Sequence, residues 1–190
     1  MSHAPADEPE KLTEETVENL DARFAELGLN PTNGIAILPS NFLYATGQSD
    51  LYLVPAAPDM KVRLRQAGVA LDKVTPEGVT IRYRDDRDST LTLPLLFLGG
   101  AFLSQNANLI NVALGVAANY VTDYFRGKAG RHRVVCSFLV ETTEATTQTK
   151  TNTKAKPVTT TEKKTAKKLD FDGPAESFNK LIDTIKKALE

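Results

Sequence analysis

Apolar side chains at Val17, Leu20, Phe24 and Leu27 recur at three- and four-residue steps, the spacing that places them on one face of a helix. Thr13 stands where an N-cap is expected, Leu12 is placed to staple onto Val17, and Gly28 follows the last apolar residue as a C′ stop. The pattern predicts an amphipathic N-terminal helix that ends at Gly28. Ahead of it, residues 1–10 carry Pro5, Pro9 and three acids, and read as a disordered tail.

Past Pro31 and Asn33 the period changes. Residues 35–38 form a short apolar run closed by Pro39, and residues 51–54 a second one ended by Pro55; both suit buried strands. Met60, Leu64 and Ala67 fit helical spacing between Asp59 and Gly68, which predicts a short helix. Val79, Ile81 and Tyr83, and then Leu91, Leu93 and Leu95, alternate as half-buried strands do. The polar segment Asp85, Asp86, Arg87 and Asp88 between them predicts a hairpin.

The longest helical signal covers residues 100–126, about 40 Å at the helical rise, and is closed by Gly127 and Gly130. On a wheel, Ser104, Asn108, Asn111, Gly115, Asn119, Thr122 and Arg126 fall in one narrow polar stripe. Apolar residues fill most of the remaining circumference, so this helix is expected to be the largely buried spine of the fold. Residues 134–140 follow as an apolar, β-branched run, which predicts a central strand and a strand–helix–strand crossover. Residues 141–168 hold eleven threonines, seven lysines and almost nothing large and apolar, so they contribute no core. Within them residues 142–168 form a Thr/Lys-rich linker or a protruding β-arm, whose base pairs the 134–140 strand with residues 169–171. Phe178, Leu181, Ile182, Ile185 and Leu189 then share one face of an amphipathic C-terminal helix.

The expected class is therefore α+β, or α/β, with residues 11–190 as a single domain. One mixed sheet of about six short strands is expected, with a long central helix and amphipathic helices at both termini.

Composition narrows the function. Twenty-three basic against 24 acidic side chains leave a net charge of -1, so no global field attracts nucleic acid or anionic lipid. Cys136 is the only cysteine, which excludes an internal disulfide and a multi-cysteine zinc site and favours a reducing, cytoplasmic setting. No secretory signal pattern is present at the N-terminus. The apolar stretch 91–124 is interrupted by Ser104, Gln105, Asn106, Asn108, Asn111 and Asn119, which argues against a membrane span.

Chemical motifs are sparse. No glycine-rich loop ends in Gly-Lys-Ser or Gly-Lys-Thr, and Gly127, Lys128 and Gly130 close a helix rather than open one. The histidines are His3 in the tail and His132, whose neighbours Arg131 and Arg133 oppose a cation, so no metal site is assigned. Cys136 and His132 lie four residues apart on a strand, about 13 Å, too far for proton transfer. Neither catalytic residues nor a cofactor are assigned.

What remains is the polar stripe, where Asn108, Asn111, Gly115, Asn119, Thr122 and Arg126 can line a groove for a partner. The favoured function is a non-enzymatic binding or accessory module that engages a protein partner, or a second copy, through the long or the terminal helix. Two alternatives stand beside it. One is a metal-assisted hydrolase using the acids of residues 85–88 with Asn108 and Asn119. The other is a weak, non-specific nucleic-acid binder acting through the 142–168 arm. Counted with Glu141, its seven lysines against three glutamates give a local charge of about +4, but it has no aromatic or arginine, so nucleic acid is disfavoured as a partner.

Overall fold

A computed structural model of the chain describes residues 10–84, 90–100, 107–129, 132–146 and 161–188. Its centre is β7 (Arg133–Thr146), whose inward residues Val134, Cys136, Phe138 and Val140 are all buried. On one side β7 pairs in antiparallel register with β8 (Thr161–Pro174), so that Cys136 faces Phe171 and Phe138 faces Leu169. On the other side it pairs in parallel with β5 (Thr90–Thr92) and β6 (Leu95–Leu98), which are separated by Leu93 and Pro94. The edges are β1 (Lys11–Val17), antiparallel to β8, and β2 (Ile35–Leu38), antiparallel to β6. The result is a mixed six-stranded sheet in the order β1-β8-β7-β6-β2, with β5 also on β7.

Four helices cover this sheet among the described residues: α1 (Leu20–Glu26), α2 (Ala57–Gln66), α3 (Ala107–Phe125) and α4 (Phe178–Ala188). The fold is α+β, with a central helix between the parallel strands β6 and β7 and a C-terminal helix. Helices α2, α3 and α4 pack on the first face of the sheet, where Leu96, Leu98, Val134, Phe138, Leu169 and Phe171 meet Met60, Leu114, Phe178 and Leu181. Phe171 and Phe178 meet edge to face, with ring centroids 5.8 Å apart. The second face is covered over only part of its area. There Leu20 and Phe24 of α1, with Leu27 just after it and Phe42, bury Ala36, Leu38, Phe97, Leu139 and Ala166. No helix among the described residues is long and apolar enough to cross a membrane.

Three expectations need correction. The N-terminal helix begins at Leu20, not after Thr13, because residues 11–17 are the edge strand β1. Both faces of that strand are solvated, so its residues carry no apolar period that would mark it as a strand. Its pairing with β8 is long-range, and Asn19, at φ 56, makes the left-handed turn that starts α1, a conformation Asn tolerates. The C′ stop at Gly28 is where it was expected, at φ 60.

The hairpin between residues 79–83 and 91–95 does not form. β4 (Arg82–Tyr83) instead lies parallel to β3 (Tyr52–Leu53) in a separate two-stranded sheet, and β5 joins β7. Alternation fixes which side chains turn inward, not which strand is the neighbour. The acidic loop at residues 85–88 lies outside the described residues. The main strands are also not uniformly short, since β7 and β8 each run for 14 residues.

β1 stops opposite Ala166 and β6 stops opposite Val140, so beyond these points β7 and β8 pair with each other alone among the described residues. This makes a two-stranded ribbon that continues to the pair Thr146 and Thr161. Residues 147–160, the rest of the Thr/Lys-rich arm, lie outside the described residues, as do residues 1–9 of the tail and Ser104.

Two features fix the C-terminal ends of the parallel strands. A Cβ on Gly99 would lie 2.1 Å from the Asn33 carbonyl oxygen, so only glycine lets β6 leave the sheet there. Glu141, only 3% exposed, accepts the Gly100 backbone N–H at 3.0 Å.

Candidate functional site

On β8 the residues Ala166, Lys168, Asp170 and Asp172 alternate with the core residues Leu169 and Phe171 and therefore turn to the second face. The directly opposed residues of β7 are Glu141, Leu139, Ser137 and Val135, which share that face. Leu139 and Ala166 lie under α1 and Phe42. Beyond them the row becomes polar, and its far end forms the floor of a groove of about 830 Å³.

The groove has a floor and a wall. Thr90, Thr92, Arg133, Ser137 and Asp172 belong to the floor, supplied by β5, β7 and β8. The wall is the small β3–β4 sheet and its flanks, with Ser40, Tyr52 and Arg84. Two backbone bonds hold this wall together, Ser40 N–H to the Tyr52 carbonyl at 2.8 Å and Arg84 N–H to the Leu53 carbonyl at 2.9 Å.

Among the described residues, the two cations that line the groove are oriented. Arg133 donates through Nε to Asp172 Oδ1 at 2.6 Å, and the Arg84 guanidinium lies 5.2 Å from the Tyr52 ring centroid. Among the described residues, the one buried side-chain polar atom without a hydrogen-bond partner is Ser40 Oγ. Buried hydroxyls are nearly always paired in native proteins.

A hydrogen-bonded row separates the groove from the apolar half of the face. Ser137 Oγ donates to Asp170 Oδ1, Lys168 Nζ lies 2.6 Å from Asp170 Oδ2 and donates to Tyr44 Oη at 3.0 Å, and Tyr44 Oη donates to Glu15 at 3.2 Å. Burial alone would lower the Lys168 pKa, but Asp170 and Tyr44 outweigh it and hold the ammonium above its ordinary range.

The stripe on the long helix sits elsewhere, on the first-face layer. Asn108, Asn111, Asn119, Thr122 and Arg126 are exposed and Gly115 is half-buried. Among the described residues, no atom beyond the helix's own backbone lies within 4 Å of a Cβ built on Gly115, so none of them makes a close approach there. Asn119, Thr122 and Arg126 come together in a second groove of about 460 Å³ with Arg63, Gln66 and Asp123; Asn108 and Asn111 do not line it. Asp123 binds Arg63 and Arg126, each at 2.8 Å, and the Arg63 hydrogen bond holds its carboxyl below the ordinary range.

Cys136 lies in the core of the first face, where burial pushes its thiol well above the ordinary value. Among the described residues no three His, Cys, Asp or Glu side chains gather as a metal site. The groove residues went unnoticed in the sequence because they come from six separate segments. The one local sign was β8 itself, where Lys168, Asp170 and Asp172 alternate with large apolar residues.

The chain matches no protein-family model, and comparisons with curated proteins and with solved structures also find no match.

Proposed function

We propose that the protein is a cytoplasmic binding module without chemistry of its own, and that it holds a small hydroxylated ligand bearing a carboxylate or phosphate. The groove on the second face of the sheet receives it. The observation that carries this reading is the convergence of Arg84 and Arg133 with the hydroxyl-bearing Thr90, Thr92 and Ser137 around one open volume. Guanidinium groups match the planar or forked geometry of carboxylate and phosphate oxygens. Hydroxyls on either side give and accept hydrogen bonds to a polyol body. The volume of about 830 Å³ falls within the range of small-molecule sites.

Thermal melts of the full chain with inorganic phosphate, citrate, ribose 5-phosphate and AMP test the reading. A saturable rise in Tm with at least one of them, lost in Arg84→Gln, is the expected result. No shift with any of the four, or a shift that survives both Arg84→Gln and Arg133→Gln, would refute it.

A second reading, docking of a protein partner on the long helix, draws on the groove where Asn119, Thr122 and Arg126 meet Arg63 and Gln66. Its test is a pull-down in which Asn119→Trp, a bulky change at an exposed position, abolishes capture that Asn108→Trp leaves intact.

A further inference from the structure

β1 ends the sheet, and no described strand pairs with its outer edge. Its backbone there presents a row of N–H and C=O groups that a further strand can use. The residues Lys11, Leu12, Thr13, Glu14, Glu15 and Thr16 are all exposed, and Leu12 is among the large apolar side chains left in water. Only a few kinds of strand suit such an edge, and the charges on β1 select among them.

We propose that the outer edge of β1 pairs with β1 of a second copy of this chain, antiparallel about a two-fold axis centred on Thr13. A two-fold axis normal to the sheet keeps each face continuous across the joint, so opposed residues must share a face. This restricts the pairing to registers centred on a residue. Centred on Thr13, Lys11 of each copy opposes Glu15 of the other, Thr13 opposes Thr13, and Leu12 opposes Glu14 with the two Leu12 side chains on the diagonal.

The neighbouring registers are poorer. Centring on Glu14 or on Glu15 sets two identical carboxylates against each other, and centring on Leu12 opposes Glu10 with Glu14 twice. Lys11 and Glu15 lie on the second face, since they oppose Asp172 and Lys168 of β8. Glu14 lies on the first face, where Lys167 already holds it at 2.8 Å. The register centred on Thr13 is thus the one that sets unlike charges opposite each other and leaves no like pair. The six-stranded sheets of two copies then join into one of twelve strands. The dimer is independent of the ligand groove.

Sedimentation equilibrium of the full chain over a wide concentration range tests the proposal. The expected result is a reversible monomer–dimer equilibrium that weakens as salt is added. Lys11→Glu and Glu15→Lys, each placing like charges opposite one another twice, should each raise the dimer dissociation constant about tenfold or more. The double variant Lys11→Glu with Glu15→Lys should restore it, because the swapped pairs are again complementary. Lys11 also opposes Asp172, and Glu15 opposes Lys168 and accepts from Tyr44, so circular dichroism and thermal melts of all three variants must show the fold retained for the dissociation constants to be compared. A strict monomer, a larger open assembly, or a double variant no tighter than the singles would overturn the proposal.

Discussion

On the first face of the sheet, β7 presents Val134, Cys136, Phe138 and Val140, and three helices bury all four. On the second face the same strand presents Arg133, Val135 and Ser137 before reaching Leu139, and only that last residue lies within the packed cluster of α1. A strand has two independent faces because successive side chains point to opposite sides. One run of residues therefore serves as core on one side and as the floor of an open polar groove on the other. The apolar clusters are concentrated on the first face and under α1, and the groove lies beside them.

The largest effect is expected where both strands and helices converge. Phe138→Ala removes a fully buried ring from the middle of the first face and should cost about 3–5 kcal/mol in urea denaturation. A loss below about 1 kcal/mol, the range of ordinary substitutions, would mean that this face is not the main core.

The boundary between the two halves of the second face should give an intermediate effect. Lys168→Met leaves Asp170 facing Ser137 without its cation and deprives Tyr44 of a donor, at a cost of about 1–3 kcal/mol near neutral pH. The folded-state pKa of Lys168 is raised, so its contribution is fully present below the ordinary lysine value. It fades as the pH climbs through the raised value. Urea midpoints of the parent and the variant should therefore differ at neutral pH and converge in strongly alkaline solution. A gap that stays constant into alkali would assign the effect to lost packing of the lysine stem instead.

How far the sequence disclosed these regions follows the same division. The long helix, the terminal helix and β7 were legible because each carries a sustained apolar period: Leu114, Ala117 and Val121 on α3, Leu181 and Ile185 on α4, Val134 to Val140 on β7. β1 was not, since Lys11, Glu14 and Glu15 are exposed and its strand form depends on β8, about 150 residues away. Of the run Leu91, Leu93, Leu95, the first two pack on the first face and Leu95, beyond Pro94, packs on the second, and the run's partner is β7 and not the preceding strand. Ser40, Arg84, Thr90, Arg133 and Asp172 share a groove only because that parallel register brings their strands together. Neither local spacing nor composition encodes such a register.

The smallest change in stability should accompany the largest change in recognition. Arg84 is exposed, so Arg84→Gln should alter the free energy of unfolding by about 0.5 kcal/mol, the range of surface substitutions. Arg133→Gln should cost slightly more, about 0.2–1 kcal/mol, because it also breaks the partly exposed pair with Asp172. Both should abolish the thermal stabilisation given by an oxyanion ligand, since each removes a cation that lines the same volume. Phe138→Ala lies on the opposite side of the sheet, so its surviving folded fraction should keep the parent's ligand-induced shift. If Arg84→Gln instead lowered stability as far as Lys168→Met does, the groove wall would be part of the structural core, and the division between the two faces would not hold.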